Sequence, residues 1–94
     1  MDHRPSVELL ESTHFFPGVY QIKAIGRANG DFEQRVVAAV CSHLAAHSDL
    51  DYSVRTTPAG RHLALTLDIT VQTAEQVRAI YAEIREVEGL TLLF

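Results

Sequence analysis

A single cysteine is all the sulfhydryl chemistry this chain of 94 residues carries. Cys41 has no partner for an internal disulfide, which fits a reducing compartment. Within the helical pattern around it, the thiol reads as a small packing residue. No apolar run approaches the ~20 residues needed to cross a bilayer. The opening residues Met1-Asp2-His3-Arg4-Pro5 contain no apolar stretch of the kind a secretory signal requires, so a cytoplasmic location is expected. Positive charge is also short: 8 Lys and Arg face 12 Asp and Glu, giving a formal net charge of −4. That balance disfavours nucleic acid as a partner, and the basic residues are scattered singly from Arg4 to Arg85.

Catalytic signatures are missing as well. There is no nucleophile, base and acid set, no glycine-rich phosphate loop, and no carboxylate pair in a setting that would raise one pKa. Acylphosphatases place an arginine-bearing, glycine-rich loop before their first helix, and Gly26 to Asp31 does not reproduce it. Metal chaperones with a two-cysteine loop are excluded by the cysteine count. The expectation is a binding or regulatory domain without enzymatic activity and without a cofactor, acting through a small effector or a protein partner, with a small enzyme or an RNA-binding module as the alternatives.

What is present is a pattern of fold. Hydrophobic residues at 47% and charged residues at 21% are ordinary globular values that exclude disorder and coiled coil, and the length suits one core. Leu63, Leu65, Leu67, Ile69 and Val71 alternate with His62, Ala64, Thr66, Asp68 and Thr70, the period of a strand with one dry face. Burying those five apolar side chains contributes on the order of 8–15 kcal/mol of gross transfer free energy, at ~1.5–3 kcal/mol each. Val77, Ile80, Tyr81, Ile84 and Val87 follow at helical spacing, with Thr73 and Gln76 as a capping box at the start and Gly89 at the end.

The first half repeats this more loosely. Val19 to Ile25 reads as a strand closed by Gly26, with Arg27-Ala28-Asn29-Gly30 as a turn. Asp31 with Gln34 is expected to cap a helix that buries Phe32, Val36, Val37, Val40 and Leu44 and ends near residues 45–48. Tyr52 to Thr57 reads as a strand, Pro58-Ala59-Gly60 as a hairpin turn, and Leu90 to Phe94 as a closing strand. Residues 1–14 are expected to be a flexible arm before a single domain over 15–94.

Strand, helix, strand, strand, helix, strand predicts an α+β fold, the ferredoxin-like βαββαβ plait. Its antiparallel four-stranded sheet has order 4-1-3-2 and two helices on one face. Alternation in the third strand requires the other face to be uncovered, since a strand buried on both sides is continuously apolar. Gln21, Lys23, Ser53, Arg55, Ala64, Thr66, Asp68 and Leu93 are expected there.

Several segments carry a family resemblance. They are Phe16-Pro17 with Tyr20, Lys23 and Gly26; Val36-Val37 through Val40 to His43; and Asp51-Tyr52-Ser53-Val54. Pro58 with Gly60, and Glu75-Gln76-Val77 through Ile80-Tyr81 to Glu83, complete the set. In this order and spacing the chain resembles the YbeD-like domain-of-unknown-function family of small bacterial proteins, from about Leu10 to Phe94. The resemblance implies a ferredoxin-like fold similar to regulatory ACT domains, which bind small effectors. Thr57-Pro58-Ala59-Gly60-Arg61-His62 departs from the family's serine-containing hairpin followed by an aromatic.

Three candidate sites follow. Arg27, Asn29 and Gly30 occupy the turn that in ACT domains often contacts an amino-acid effector, and helix N-terminal N–H groups suit an anion. Against that, Asp31 and Glu33 compete for the same end, and turn chemistry alone accounts for Asn29-Gly30. Lys23, Arg55, Ala64, Thr66 and Asp68 form a mixed face suited to a protein partner or a second copy of the chain, through the face or an edge strand. It lacks the central aromatic residues that RNA binders of this topology use for stacking. His43 and His47, one helical turn apart, are a weak metal candidate, since two ligands do not make a site.

Overall fold

The computed structural model describes residues 3–94. Within them the expected order of elements is present, preceded by one more helix. The elements are α1 (Val7–Thr13), β1 (Gly18–Arg27), α2 (Phe32–Cys41), β2 (Leu50–Thr56), β3 (His62–Val71), α3 (Ala74–Arg85) and β4 (Leu90–Leu93). The strands form one antiparallel sheet of order β2-β3-β1-β4, the ferredoxin-like plait.

β3 organises it. Leu65, Leu67, Ile69 and Val71 are buried, and Leu63 packs at the margin of the core. Ile22 and Ala24 lie on the same side of β1, in register with Leu67 and Leu65. Phe32, Val36 and Val40 from α2 and Val77, Ile80, Tyr81 and Ile84 from α3 close over them in one continuous core. Thr73 caps α3 as expected: its hydroxyl accepts the Gln76 N–H at 3.1 Å. The Gln76 side chain accepts the Gln72 N–H at 2.7 Å and donates to the His43 carbonyl at 2.8 Å, tying α3 to the end of α2.

Four local expectations are corrected. The segment read as a flexible arm contains α1, started by Ser6, whose hydroxyl accepts the Leu9 N–H at 3.1 Å. Leu10 enters the core beside α3, and the two first residues of the expected arm, Met1 and Asp2, lie outside the described residues. Gly26 does not end β1, which continues through Arg27. The ring of Phe32 lies over Gly26 where a Cβ would stand, so this glycine serves packing within the strand.

Asp31 occupies the N-cap position of α2 but makes no capping bond; its Oδ1 accepts from Arg35 Nε at 2.7 Å instead. A cation four residues on outcompetes neutral N–H donors for the carboxylate. α2 stops at Cys41, short of the expected 45–48. The chain tightens there through N–H donation from His43 to Val40 and from Leu44 to Cys41, and Leu44 still reaches the core from the turn.

Candidate functional site

The uncovered face of the sheet is built by strand alternation. On β1 it takes Val19, Gln21, Lys23 and Ile25; β3 supplies His62, Ala64, Thr66, Asp68 and Thr70. Register puts Lys23 and Ser53 on either side of Thr66, and Ile25 and Arg55 on either side of Ala64. Small side chains on β3 thus floor a trough of about 410 Å³ walled by Lys23, Arg55, Ile25 and Phe94. Lys23, Arg55, Ala64 and Thr66 are brought together as the sequence suggested. Asp68 sits one step further along, where the Gln21 amide donates to its Oδ1 at 3.0 Å.

β4 corrects one assignment. Leu93 pairs with Ala24 and packs on the core, whereas Leu92 pairs with Ile25 and faces outward. Phe94 exchanges backbone hydrogen bonds with Lys23, at 2.8 and 3.1 Å, and shares that outward side. The parity follows from an irregularity between Ile25 and Gly26, which sets the β4 register. Sequence reading therefore missed two apolar groups on this face: Leu92 is 50% and Phe94 60% exposed, with Val19 at 68%.

The β1–α2 turn forms a second site. Arg27, Asn29 and Gly30 line a cleft of about 270 Å³ with Asp31, Phe32, Arg35, Glu88 and Gly89. Gly30 takes φ +83°, as the turn requires. Asn29 keeps a negative φ, against the expectation for an Asn-Gly pair. Arg35 is held by Asp31 and, at 3.8 Å, by Glu88, so its charge is matched inside the cleft. Arg27 has no ion pair among the described residues. It also borders a neighbouring hollow of about 380 Å³ with Asn29, Gly60, Arg61 and His62, where the Ala28 N–H donates to the Arg61 carbonyl at 2.8 Å. Arg61 and His62 belong to the hairpin that departs from the family pattern.

α2 ends before both His43 and His47. His43 Nε2 lies 3.4 Å from Glu83 Oε1 without an aligned hydrogen bond, and His47 begins a short 3-10 turn, His47–Asp49. Their helical spacing is therefore not realised, and no group of three or more ligating side chains exists among the described residues. Cys41 is a half-buried free thiol.

Two tyrosines are perturbed. The Tyr52 hydroxyl donates to Glu33 Oε2 at 3.0 Å, which raises its pKa. Tyr81 is pushed further up by burial, then by its 3.2 Å hydroxyl contact with Tyr20, whose ring also meets His14 at 4.7 Å. A phenol with a folded pKa above its unfolded value stabilises fully below the unfolded value, about 10, and the contribution drains away as pH rises beyond it. Urea midpoints taken at about pH 8 and about pH 11 are expected to fall more in the wild type than in Tyr81→Phe. Equal falls would remove Tyr81 as the cause.

Residues 11–94 match the model of a family described as Protein of unknown function (DUF493). The chain belongs to that family. It is 32% identical over 83 residues to a UPF0250 protein of Shewanella sediminis, covering 88% of each chain. A UPF0250 protein of Shewanella woodyi is 32% identical and one of Shewanella oneidensis 30% identical, again over 83 residues and 88% of each chain. The resemblance to small bacterial YbeD-like proteins is thereby borne out. In this DUF493 chain the matched span starts within α1 and takes in the whole sheet, so the open face and the turn cleft both lie inside it. No helix among the described residues is long and apolar enough to cross a membrane.

Proposed function

We propose that this domain is a non-catalytic binding module and that it presents its open sheet face to a protein partner. The observation that carries this reading is the trough between Lys23 and Arg55, lined by Phe94, with Leu92 exposed beside Ile25 and Val19 exposed further along the same face. Apolar side chains grouped on one rigid face beside unmatched charges suit a protein surface better than water. Nucleic acid is disfavoured, because stacking platforms need aromatic rings on the central strands and Phe94 lies beyond the end of β4, beside β1. A photo-crosslinking side chain at Thr66 is expected to form adducts in living cells, and one at Glu75 on α3 is not. Equal yields from both positions, or none from Thr66, would sink the reading.

A small anionic effector in the turn cleft is the second reading, in the manner of ACT domains. Two observations favour it: Arg27 is unmatched among the described residues, and Asp31 leaves the first N–H groups of α2 without a side-chain cap. Thermal-shift screening against amino acids and nucleotides is expected to find a ligand that adds about 2.7 kcal/mol at ~100 times its dissociation constant. That gain should vanish in Arg27→Ala; a gain unchanged by the substitution would place the ligand elsewhere.

A further inference from the structure

The charges on the open face are sorted by sign along the strands. Lys23 and Arg55 lie toward one end, with Arg27 behind them, while Asp51 and Asp68 lie toward the other. Asp51 and Asp68 stand directly opposite each other in the β2–β3 ladder. Like charges at such positions destabilise a sheet. Only the Gln21 amide relieves the pair, and none of these five charged groups makes an ion pair among the described residues. Each end of the face is thus unbalanced in a sense that the other end would correct.

We propose that the face is the interface of a two-fold homodimer in which two sheets pack face to face with their strand ends exchanged. This names the partner in the protein-binding reading above and rests on it. A two-fold axis across β3 near Leu67 maps the row Gln21, Asp68, Asp51 onto the row Lys23, Thr66, Ser53 of the second copy. Asp68 then faces Thr66 of the second copy with Lys23 one strand away, about 4.8 Å, and Asp51 has Arg55 of the second copy within one side-chain step. The same rotation sets Val19 over Ile25, covering an exposed apolar side chain. Both contacts occur twice, as an isologous interface requires.

An acidic segment from another protein would match Lys23 and Arg55 but would meet Asp51 and Asp68 with like charge. The second copy satisfies both ends, and this decides between the two. Four strands at ~4.8 Å spacing and about 25 Å of usable length give a footprint of roughly 500 Å² per copy, below the standard interface. The dimer is accordingly of the weak, transient class, and it loosens as salt screens the pairs.

Sedimentation equilibrium of the full chain, over concentrations up to the high micromolar range and at low and high salt, tests this. The doubly reversed variants Lys23→Glu/Arg55→Glu and Asp51→Lys/Asp68→Lys are each expected to weaken self-association at least about 30-fold, and their equimolar mixture to recover a dimer. Val19→Ser, which leaves every charge in place, is expected to weaken the dimer without changing its salt dependence. A wild type that stays monomeric, a dimer that survives both reversals, or a mixture that fails to reassemble would each overturn the proposal. Thr66 adducts at twice the chain mass support it. A monomer in the ultracentrifuge together with Thr66 adducts to other proteins rejects the dimer while leaving the protein-binding reading intact, and a monomer without adducts rejects both.

Discussion

Replacing Gly26 by valine is expected to lower the unfolding free energy by about 3 kcal/mol, although valine is much the better strand former. In β1 this position pairs with Leu63 of β3 on the side that faces the helices. The ring of Phe32, the first residue of α2, lies against the glycine and occupies the space of a Cβ. Phe32 is 3% exposed and also touches the Gly89 position, so it has nowhere to retreat within the core.

Valine at 26 leaves two outcomes. The core can be overpacked, at roughly 1–3 kcal/mol, or the ring can be expelled, at about 3–5 kcal/mol as for removal of a buried phenylalanine. The gain in strand propensity is at most ~1 kcal/mol, so either loss prevails. Urea denaturation reads the difference as a lower midpoint at unchanged slope. A shift below about 0.5 kcal/mol would show that Phe32 does not depend on this glycine. Gly26→Ala combined with Phe32→Leu should cost less than the two single changes together, because the smaller side chain makes room for the methyl group.

Gly26 also marks the limit of what local sequence conveys. A glycine after a run of strand formers reads as a terminator when only chain neighbours are considered, and the reason for it lies six residues on in a different element. The alternation of β3 was legible because one period describes both its backbone and its burial. α2 was legible in position but not in length. Leu44 continues the helical spacing and does reach the core, yet it does so from a turn, and the pattern of burial is the same either way.

The open face shows the same division more sharply. Lys23, Arg55, Ala64, Thr66 and Asp68 could be placed on it by parity, since each strand's alternation fixes its own two sides. Leu93 was misplaced because β4 contributes four residues to the sheet, and its parity depends on the irregularity beside Gly26 rather than on any pattern of its own. Scattered cations gave no hint of a patch. Lys23 and Arg55 are 32 residues apart in the chain and come together only because both flank β3, with Arg27 following on the same strand as Lys23. Sorting of charge by sign along a sheet is a property of register, and register is non-local.

Truncating Leu10 to alanine is expected to cost about 2–4 kcal/mol, a loss that a flexible arm would not produce. α1 has seven residues, too few to persist as a helix on its own, so its order must come from docking. Leu10 is 2% exposed and is the buried residue of that helix, with Val7 packed beside it. Arg78 on α3 reinforces the contact by donating from Nε to the Pro5 carbonyl at 2.9 Å, and Arg4 donates back to the Arg78 carbonyl at 3.3 Å. Those polar contacts are partly solvated and together amount to about 1–2 kcal/mol, less than the leucine side chain supplies.

Alanine at position 10 therefore removes the main term holding α1. Two measurements separate the consequences. Equilibrium unfolding in urea reports the global loss, and amide hydrogen exchange at Leu10 and His14, whose N–H groups are bonded to Ser6 and Leu10 carbonyls, reports undocking of α1. Loss of protection at these amides with a lower unfolding midpoint is the expected result. A midpoint within about 0.5 kcal/mol of the wild type would mean that the helix rides on the surface, and that Val77, Ile80 and Tyr81 of α3 close the core without it.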